Sequence, residues 1–176
     1  IRDLEALKEV IDKEQPDFVF HLAAQALVRL SYENPIKTIT TNAVGSANVL
    51  DALRLLDKPV VAVMITSDKA YDNVEWVWGY RENDKMGGHD PYSSSKGCSE
   101  IISSAYSRSF LEAEGIAIAT ARAGNVIGGG DWAQDRLIPD VIKSLERKDV
   151  LKIRNPNAIR PWQHVLEPLS GYMILA

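Results

Sequence analysis

The chain has 176 residues, of which 45% are hydrophobic and 25% are charged, and these proportions are typical of a globular protein with a sizeable core. Its net charge is −4 at pH 7 with both signs interspersed, so no basic stripe indicates binding to nucleic acid or to an anionic membrane. The one cysteine, Cys98, cannot form an internal disulfide and no apolar run approaches the ~20 residues of a membrane span, so we expect a cytoplasmic protein.

Helical and strand patterns alternate along the first half of the chain. Apolar residues at helical spacing predict a helix over 3–13, and the short β-favouring run 18–24 predicts a strand that is buried on both faces. A long apolar stripe, which includes Ile39, predicts a helix over 36–56. Residues 60–65 form the clearest buried strand.

The second half continues this alternation after a long connection. Residues 70–89 contain tryptophans and glycines and are predicted to form a functional loop rather than core. The remaining predicted elements are a helix over 92–114 that Gly115 ends, a strand over 116–121, a helix over 138–147, a strand over 150–153, a loop over 160–164 and a helix from 167 onward. The alternation predicts an α/β fold with a doubly wound parallel sheet, in which ligands gather at the carboxyl ends of the strands.

Polar residues lie at the ends of three of the predicted strands, at His21, at residues 67–69 and at residues 122–125. Ser67, Asp68 and Lys69 supply a hydroxyl, a carboxyl and an amine, which can hydrogen-bond a substrate oxygen, donate a proton and accept one. The alternative is an Asp-capped turn with a surface lysine. His21 is interpreted as structural, and because His21 and His164 do not approach a metal-ligand spacing with any Cys or carboxylate, we expect no metal site.

Tyr92 and Lys96 lie four residues apart at the start of the predicted helix, so both project from one face. A phenol has a pKa of about 10, and an ammonium beside it favours the phenolate, so this pair can transfer protons near neutral pH. The alternative is a solvated helix face, because the chain has six tyrosines and a chance match to this spacing is unsurprising. The buried strand and the Ser67–Lys69 turn that precede the pair favour the catalytic interpretation.

The glycine triplet at 128–130 lacks the G-x-G-x-x-G spacing and does not open a predicted helix, so we interpret it as a bend rather than a dinucleotide loop. Such a bend would bring Asp131, Trp132 and Arg136 near a ligand. Arg160 could bind a phosphate in bidentate fashion, with Arg136 as a second cation. The alternative is a long loop with two surface arginines.

Taken together, these residues resemble the extended short-chain dehydrogenase/reductase family, through the Tyr92/Lys96 pair, the strand-end Ser67 and the His21–Ala24 turn. Within that family the chain is similar to the nucleotide-sugar dehydratases that act on cytidine diphosphate sugars. The stretches that carry this closer match are 66–69 (TSDK), 78–82 (WGYRE), 122–132 (RAGNVIGGGDW), 135–140 (DRLIPD) and 160–165 (RPWQHV). Asp68-Lys69 stands where the dTDP-glucose relatives typically carry Asp-Glu, which supports the cytidine branch.

The resemblance implies a Rossmann-type fold that lacks its first strand-turn-helix, where the family carries its Gly-rich phosphate loop. Because the chain starts without Met and stops inside an apolar segment, we expect a fragment of a longer protein. Residues 1–127 would be a partial NAD-binding domain with the catalytic residues, and residues 128–176 a partial nucleotide-sugar-binding region. The implied cofactor is NAD, and the residues expected against it are Leu22, Ala23, Ala24, Tyr92 and Lys96.

The resemblance also implies a reaction, in which Tyr92, assisted by Lys96, removes the proton from O4 of a glucose while hydride leaves C4 for NAD⁺. Ser67 would steady that oxygen. Lys69 would then take the C5 proton, Asp68 would donate a proton to the departing C6 hydroxyl, and hydride would return to C6. A lysine base must be neutral, which requires burial or nearby cations.

By the same resemblance the substrate is CDP-glucose, with Arg136 and Arg160 on its diphosphate and Asn125 on the nucleotide sugar. The helices at 36–56 and 92–114 correspond to the family's dimer surface, which implies a homodimer. Two alternatives stay open. One is a nucleotide-sugar epimerase or reductase that uses the same Tyr92/Lys96 pair, and the other is a non-catalytic nucleotide-binding module.

Overall fold

A computed structural model describes all residues, 1–176. Its contacts divide the chain into two compact units, one of residues 1–123 with 172–176 and one of residues 124–171. The functional division that the sequence suggests, at residues 127 and 128, stays a prediction. None of the helices is both long enough and apolar enough to cross a membrane.

The first unit is built around a three-stranded parallel sheet whose strands lie side by side in chain order. The strands are β1 (Phe18–His21), β2 (Val60–Ile65) and β3 (Ile116–Ala121). In the register of the sheet, Phe18 lies opposite Val61 and Val60 lies opposite Ile116. Since the three strands run in the same direction, their carboxyl ends meet at one edge, where ligands bind in sheets of this kind.

Helices connect and cover these strands. They are α1 (Leu4–Glu14), α2 (Val28–Glu33), α3 (Pro35–Ile39), α4 (Gly45–Leu53) and α5 (Pro91–Tyr106). A π-helical turn, Thr40–Val44, joins α3 to α4. A second π-helical turn, Ser107–Leu111, extends α5 and is followed by a 3₁₀ turn, Glu112–Glu114. One further 3₁₀ turn, Asp68–Ala70, follows β2.

The two ends of the α5 segment follow from local chemistry. The Asp90 carboxylate accepts a hydrogen bond from the Ser93 backbone N–H at 2.9 Å, which caps the helix, and Pro91 occupies its first turn. Gly115 has a φ of +76°, a left-handed conformation that glycine adopts without a steric cost, so the helical segment ends there. The bounds of the predicted helix over 92–114 are therefore confirmed, although the segment is α-helical only to Tyr106 and ends in a π-helical and a 3₁₀ turn.

Both faces of β2 are buried, as its continuous apolar sequence predicts. One face packs in a core that includes Val60, Ala62, Met64, Leu50, Leu53, Leu111 and Ile116. The other face places Val63 against Ala121 and Tyr172. The strand that carries the Ser67–Lys69 turn is thus held from both sides.

The prediction of one helix over 36–56 was wrong in detail, since the segment ends at Leu53 and contains a π-helical turn. Residues 28–33 form α2, for which the sequence analysis made no prediction. Ile39, assigned to the apolar stripe, is 38% exposed. A π-helical turn inserts an extra residue, so apolar positions before and after it no longer share one face at a period of 3.6.

The second unit contains a short two-stranded parallel sheet and one complete helix. Its elements are β4 (Asn125–Ile127), α6 (Leu137–Arg147) and β5 (Trp162–His164), and α7 (Leu166–Leu175) begins here and ends among residues of the first unit. In the sheet, Asn125 lies opposite Trp162. The Asn125 N–H donates to Pro161 O at 3.0 Å and the Val165 N–H donates to Ile127 O at 2.7 Å.

The predicted strand over 150–153 is wrong, and so is the loop predicted over 160–164. Residues 150–153 are irregular, with Val150 86% exposed, whereas Trp162–His164 forms β5. A strand exists only where a neighbouring strand satisfies its backbone groups. Asn125–Ile127 provides that neighbour for residues 162–164 and no strand does so for residues 150–153.

Candidate active site

The turn after β2 places three chemically different side chains at the carboxyl end of the sheet. Ser67 is buried and caps the 3₁₀ turn, its Oγ accepting from the Lys69 N–H at 3.3 Å and donating to Asp68 Oδ1 at 3.0 Å. The Asp68 N–H donates to Ala123 O at 3.1 Å, which fixes the turn to the chain that leaves β3. Ser67, rather than Asp68, is therefore the residue that caps this turn.

Lys69 is exposed. The roles predicted for Ser67, Asp68 and Lys69 stay predictions, while their common location at the strand end is observed.

Tyr92 and Lys96 are both buried and lie one turn apart on α5. The Lys96 Nζ donates to the carbonyl of Ile65, the last residue of β2, at 3.1 Å. Burial lowers the pKa of the Lys96 amine to about 8, and the Glu100 carboxylate acts in the opposite direction. The Lys96 amine, whose pKa is lowered, therefore contacts the backbone two residues before Ser67.

A group of small polar side chains joins α5 to the α3–α4 segment. The Asn42 Nδ2 donates to Ser95 Oγ at 2.9 Å, and the Ser99 Oγ donates to Asn42 O at 3.0 Å. Asn42 also holds the loop after β1, since its Oδ1 accepts from the Gln25 N–H at 2.8 Å and its Nδ2 donates to Gln25 O at 3.0 Å. Asn42 lies in the first π-helical turn and was not predicted, although the serines of α5, poor helix formers, were a signal.

Leu22, Ala23 and Ala24 follow β1 at the same edge of the sheet. Leu22 is 52% exposed and Ala23 is also exposed. Because Ala23 and Ala24 have small side chains, they leave room beside the strand end. His21, just before them, is buried with its Nε2 3.4 Å from Ser46 Oγ. Burial, with a contribution from the Lys96 charge, lowers the pKa of His21 to about 4, so this histidine is neutral at pH 7 and suits a structural role.

A buried ion pair that was not predicted lies beside Lys96. Glu100, one turn after Lys96, accepts from Arg122 Nε and Nη2, both at 2.9 Å, and from the Thr66 hydroxyl. Burial alone would raise the pKa of Glu100, but hydrogen bonds from Arg122, Thr66 and Thr120 outweigh it and lower the pKa. Glu100 is therefore ionised at neutral pH.

The second unit contains a cavity of about 430 Å³. The three residues predicted to hold a nucleotide sugar, Asn125, Arg136 and Arg160, all line it, as does the glycine triplet. Two cations that were not predicted, Lys152 and Arg154, also line this cavity.

The charges of the cavity are only partly paired. Arg154 bonds Asp135 at 2.6 Å, and Arg136 Nε lies 3.7 Å from Asp131 Oδ2. The Arg160 Nη1 donates to the carbonyl of Ile159 at 2.7 Å, which leaves most of its N–H groups for a ligand. A cavity with several cations is suited to an anionic ligand such as a diphosphate.

Comparison with known proteins gives a family match over almost the whole chain. The family described as GDP-mannose 4,6 dehydratase matches residues 1–175. CDP-glucose 4,6-dehydratase of Salmonella typhimurium is 57% identical over 181 residues, which cover 100% of this chain and 50% of that protein. UDP-glucose 4-epimerase of Mycoplasma pneumoniae is 28% identical and matches 98% of this chain and 54% of that protein. The chain thus spans about half the length of the curated relatives it matches.

Solved structures agree on the fold. The dTDP-glucose 4,6-dehydratase DesIV from Streptomyces venezuelae, solved with NAD and DAU bound, has a TM-score of 0.86 at 20% identity over 99% of this chain and 52% of that one. UDP-glucose 4-epimerase from Thermotoga maritima, solved with UDP-glucose, has a TM-score of 0.85 at 20% identity over 98% of this chain and 56% of that one. Together with the parallel sheet, these matches confirm the Rossmann-type α/β fold.

Proposed function

Because this chain belongs to the GDP-mannose 4,6 dehydratase family, we propose that it carries the catalytic residues of an NAD-dependent dehydratase that converts CDP-glucose to CDP-4-dehydro-6-deoxyglucose. The 57% identity to a CDP-glucose 4,6-dehydratase supports the choice of nucleotide. The observation that carries the proposal is the contact of the buried Lys96 with the end of β2, beside the Ser67–Lys69 turn.

The residues of the sheet edge fit the nicotinamide part of NAD. Ala23 and Ala24 are small and leave space at the end of β1, and Leu22 is exposed beside them. We assign these three residues, with Tyr92 and Lys96, to cofactor binding. NAD bound there would supply the acceptor for the hydride of C4 and the donor of the hydride that returns to C6.

Three of the proposed catalytic side chains, Tyr92, Lys69 and Asp68, each transfer one proton, and Lys96 and Ser67 assist them. The Tyr92 phenolate, which the ammonium of Lys96 stabilises, takes the proton of the C4 hydroxyl and becomes the neutral phenol. Ser67 donates a hydrogen bond to O4 as the C4 ketone forms. The ketone acidifies C5–H, so Lys69 can remove that proton while Asp68 protonates the leaving C6 hydroxyl, and water departs.

The cavity of the second unit is assigned to the nucleotide. Arg136 and Arg160 would bind the diphosphate, and Asn125 would hydrogen-bond the nucleotide sugar. Leu151, Lys152 and Ile153 line the same cavity, so they contact the ligand from an irregular segment rather than from a strand.

Replacement of Lys69 separates oxidation from dehydration. In the full-length enzyme, Lys69→Gln is expected to stop water loss yet leave C4 oxidation, which would appear as transient NADH absorbance. Lys13→Gln, an exposed change on α1, is the matched control. Normal turnover by Lys69→Gln would reject the role of Lys69 as the base. If the wild-type full-length enzyme instead gives a product that has lost no water and is inverted at C4, the enzyme is an epimerase.

A homodimer is proposed from the exposed faces of two helical segments. Ile36 is 71% exposed, Val44 45%, Ile101 61% and Phe110 40%, which is a large apolar surface for the α3–α4 and α5 segments. Ile101→Lys should therefore convert the dimer to a monomer in sedimentation velocity. We place the protein in the cytoplasm, since its one cysteine, Cys98, is free.

A further inference from the structure

The loop between the 3₁₀ turn and α5 is closed at its base. Tyr71 forms a bridge with Met86, and the Asp72 N–H donates to Lys85 O at 2.9 Å. The Gly87 N–H donates to Ala70 O at 2.9 Å. Residues 71–86, called here the closed loop, are therefore a defined substructure rather than an extended connection.

Aromatic rings fill the closed loop. Tyr80 stacks on Tyr71 with a ring-centre distance of 5.0 Å and contacts Trp76 at 5.5 Å. The Tyr80 hydroxyl accepts from the Val74 N–H and donates to Asn73 Oδ1, both at 2.8 Å. These contacts bind the two halves of the closed loop to each other, so the loop can respond as one body.

Arg122 connects this body to α5. Its guanidinium lies 4.8 Å from the centre of the Tyr71 ring, and its Nη1 donates to Glu82 O at 3.0 Å. The other edge of the same guanidinium makes the two hydrogen bonds to Glu100. One planar group therefore contacts both the closed loop and the helix that carries Lys96.

Glu100 in turn contacts both segments that carry predicted catalytic residues. It lies on α5 four residues after Lys96, on the same face, and it accepts from the hydroxyl of Thr66, the residue before Ser67. A shift of Arg122 would be transmitted through Glu100 to the strand end and to the helix.

We propose that Arg122 is a positioning residue that couples the closed loop to Lys96 and Ser67 through Glu100. Arginine is needed because its planar group donates two hydrogen bonds to Glu100 and one to Glu82 O while its face lies over an aromatic ring, whereas lysine has one compact ammonium. The effect on the reaction rests on the function proposed above, but the structural coupling does not.

The coupling is tested first without any activity measurement, by hydrogen exchange of the full-length protein. Arg122→Lys is expected to raise amide exchange across residues 71–86 by about tenfold while β2 stays protected, because the loop loses its anchor but the core does not. Arg108→Lys is the matched control, since Arg108 is exposed and lines the same surface cleft as Arg122. Unchanged exchange in the closed loop would overturn the proposal.

A second variant removes the contact between Arg122 and the closed loop by changing the loop, and it leaves the Arg122–Glu100 pair in place. Tyr71→Leu removes both the ring under the guanidinium and the hydroxyl that bonds Arg122, and it should loosen the closed loop to a similar degree. Tyr71→Phe keeps the ring and loses only the hydroxyl, so it should loosen the loop less than Tyr71→Leu does. In the full-length enzyme, Tyr71→Leu is expected to lower kcat by about tenfold.

The measurements separate the two proposals. If Tyr71→Leu loosens the loop but leaves kcat unchanged, the coupling to Lys96 is wrong. If the wild-type enzyme lacks dehydratase activity, the proposed function fails and the exchange result still decides the structural link. Should Arg122→Lys fail to fold, exchange in Tyr71→Leu decides alone, and an unaltered loop in that variant rejects the coupling.

Discussion

The two units differ in which side chains they bury. The first unit buries polar and charged groups, among them Lys96, Glu100 and Asn42, each less than 7% exposed. In the second unit, only Pro139 and Pro168 are buried, and apolar side chains such as Ile159 are in solvent.

This contrast shows what each kind of site demands. Proton transfer needs groups held in one geometry, and buried hydrogen-bonded networks provide that rigidity at the cost of desolvation. A cavity lined by exposed cations, as in the second unit, is suited to charge recognition and does not need such networks. Substitutions in the first unit should therefore cost much more than similar ones in the second.

The largest effect is expected for Lys96→Met. On the function proposed above, dehydratase activity of the full-length enzyme should fall by about 10²–10⁴-fold, because the Tyr92 phenolate of that proposal would lose its cation. The fold should become more stable by about 1–2 kcal/mol in urea unfolding at pH 7, since burial lowers the pKa of Lys96 from 10.5 to about 8 and the charged amine costs about 3 kcal/mol, offset in part by the lost hydrogen bond.

The sign of that stability effect can be checked by pH. A lysine with a lowered pKa binds fewer protons in the folded chain between pH 8 and 10.5, so this group makes the free energy of unfolding rise with pH there. That rise should be missing in Lys96→Met and present in Lys152→Met, a change at an exposed lysine of the second unit. A less stable Lys96→Met protein would contradict the account.

The next prediction compares the loss of stability when one partner is removed from a buried ion pair of the first unit and from an exposed ion pair of the second. Glu100→Ala should destabilise the first unit by about 3–5 kcal/mol, because it leaves the Arg122 guanidinium without its buried partner. Asp135→Ala removes the partner of Arg154 in the second unit, where both side chains are about a third exposed or more, and should cost about 0–1 kcal/mol. Equal losses in chemical denaturation would break the comparison.

A similar difference is expected for leucines. Leu53 is fully buried in the core of the first unit, so Leu53→Ala should cost about 2–5 kcal/mol through lost contacts and a cavity. Leu145 on α6 is 74% exposed, and Leu145→Ala should change stability by no more than about 0.5 kcal/mol. Thermal unfolding of both variants measures this, and a large loss at Leu145 would show that the second unit hides a core.

The last effect is a dependence of stability on pH. Because His21 has a pKa lowered by burial from 6.5 to about 4, the unfolded chain binds more protons between these values, and stability should fall by about 3 kcal/mol as pH drops through this window. His21→Gln should flatten the decline, whereas His164→Gln, at an exposed position of the second unit, should not. Urea titrations at several pH values measure the slope, and equal slopes in all three proteins would refute the assignment.

The candidate site was partly accessible to sequence reasoning. Ser67, Asp68, Lys69, Tyr92 and Lys96 were found because each lies at a strand end or at helical spacing, which are local patterns. Asn42, Glu100 and Arg122 were assigned no role, because their importance comes from contacts between residues far apart in the sequence. Asn42 bonds a residue 53 positions away, and Arg122 bonds Glu100 and a backbone carbonyl that lie 22 and 40 positions away. No local pattern records such contacts.

The sequence by itself determined the alternation of helices with the three strands of the first unit, apart from α2, the end of the α5 segment at Gly115 and the location of polar residues at the sheet edge, since periodicity and helix-stop signals act over a few residues. Only the tertiary structure decided that residues 162–164 rather than 150–153 form a strand and that a π-helical turn places Asn42 against α5. Strand pairing and buried hydrogen bonds depend on which distant segments meet, and the chain settles that only when it packs.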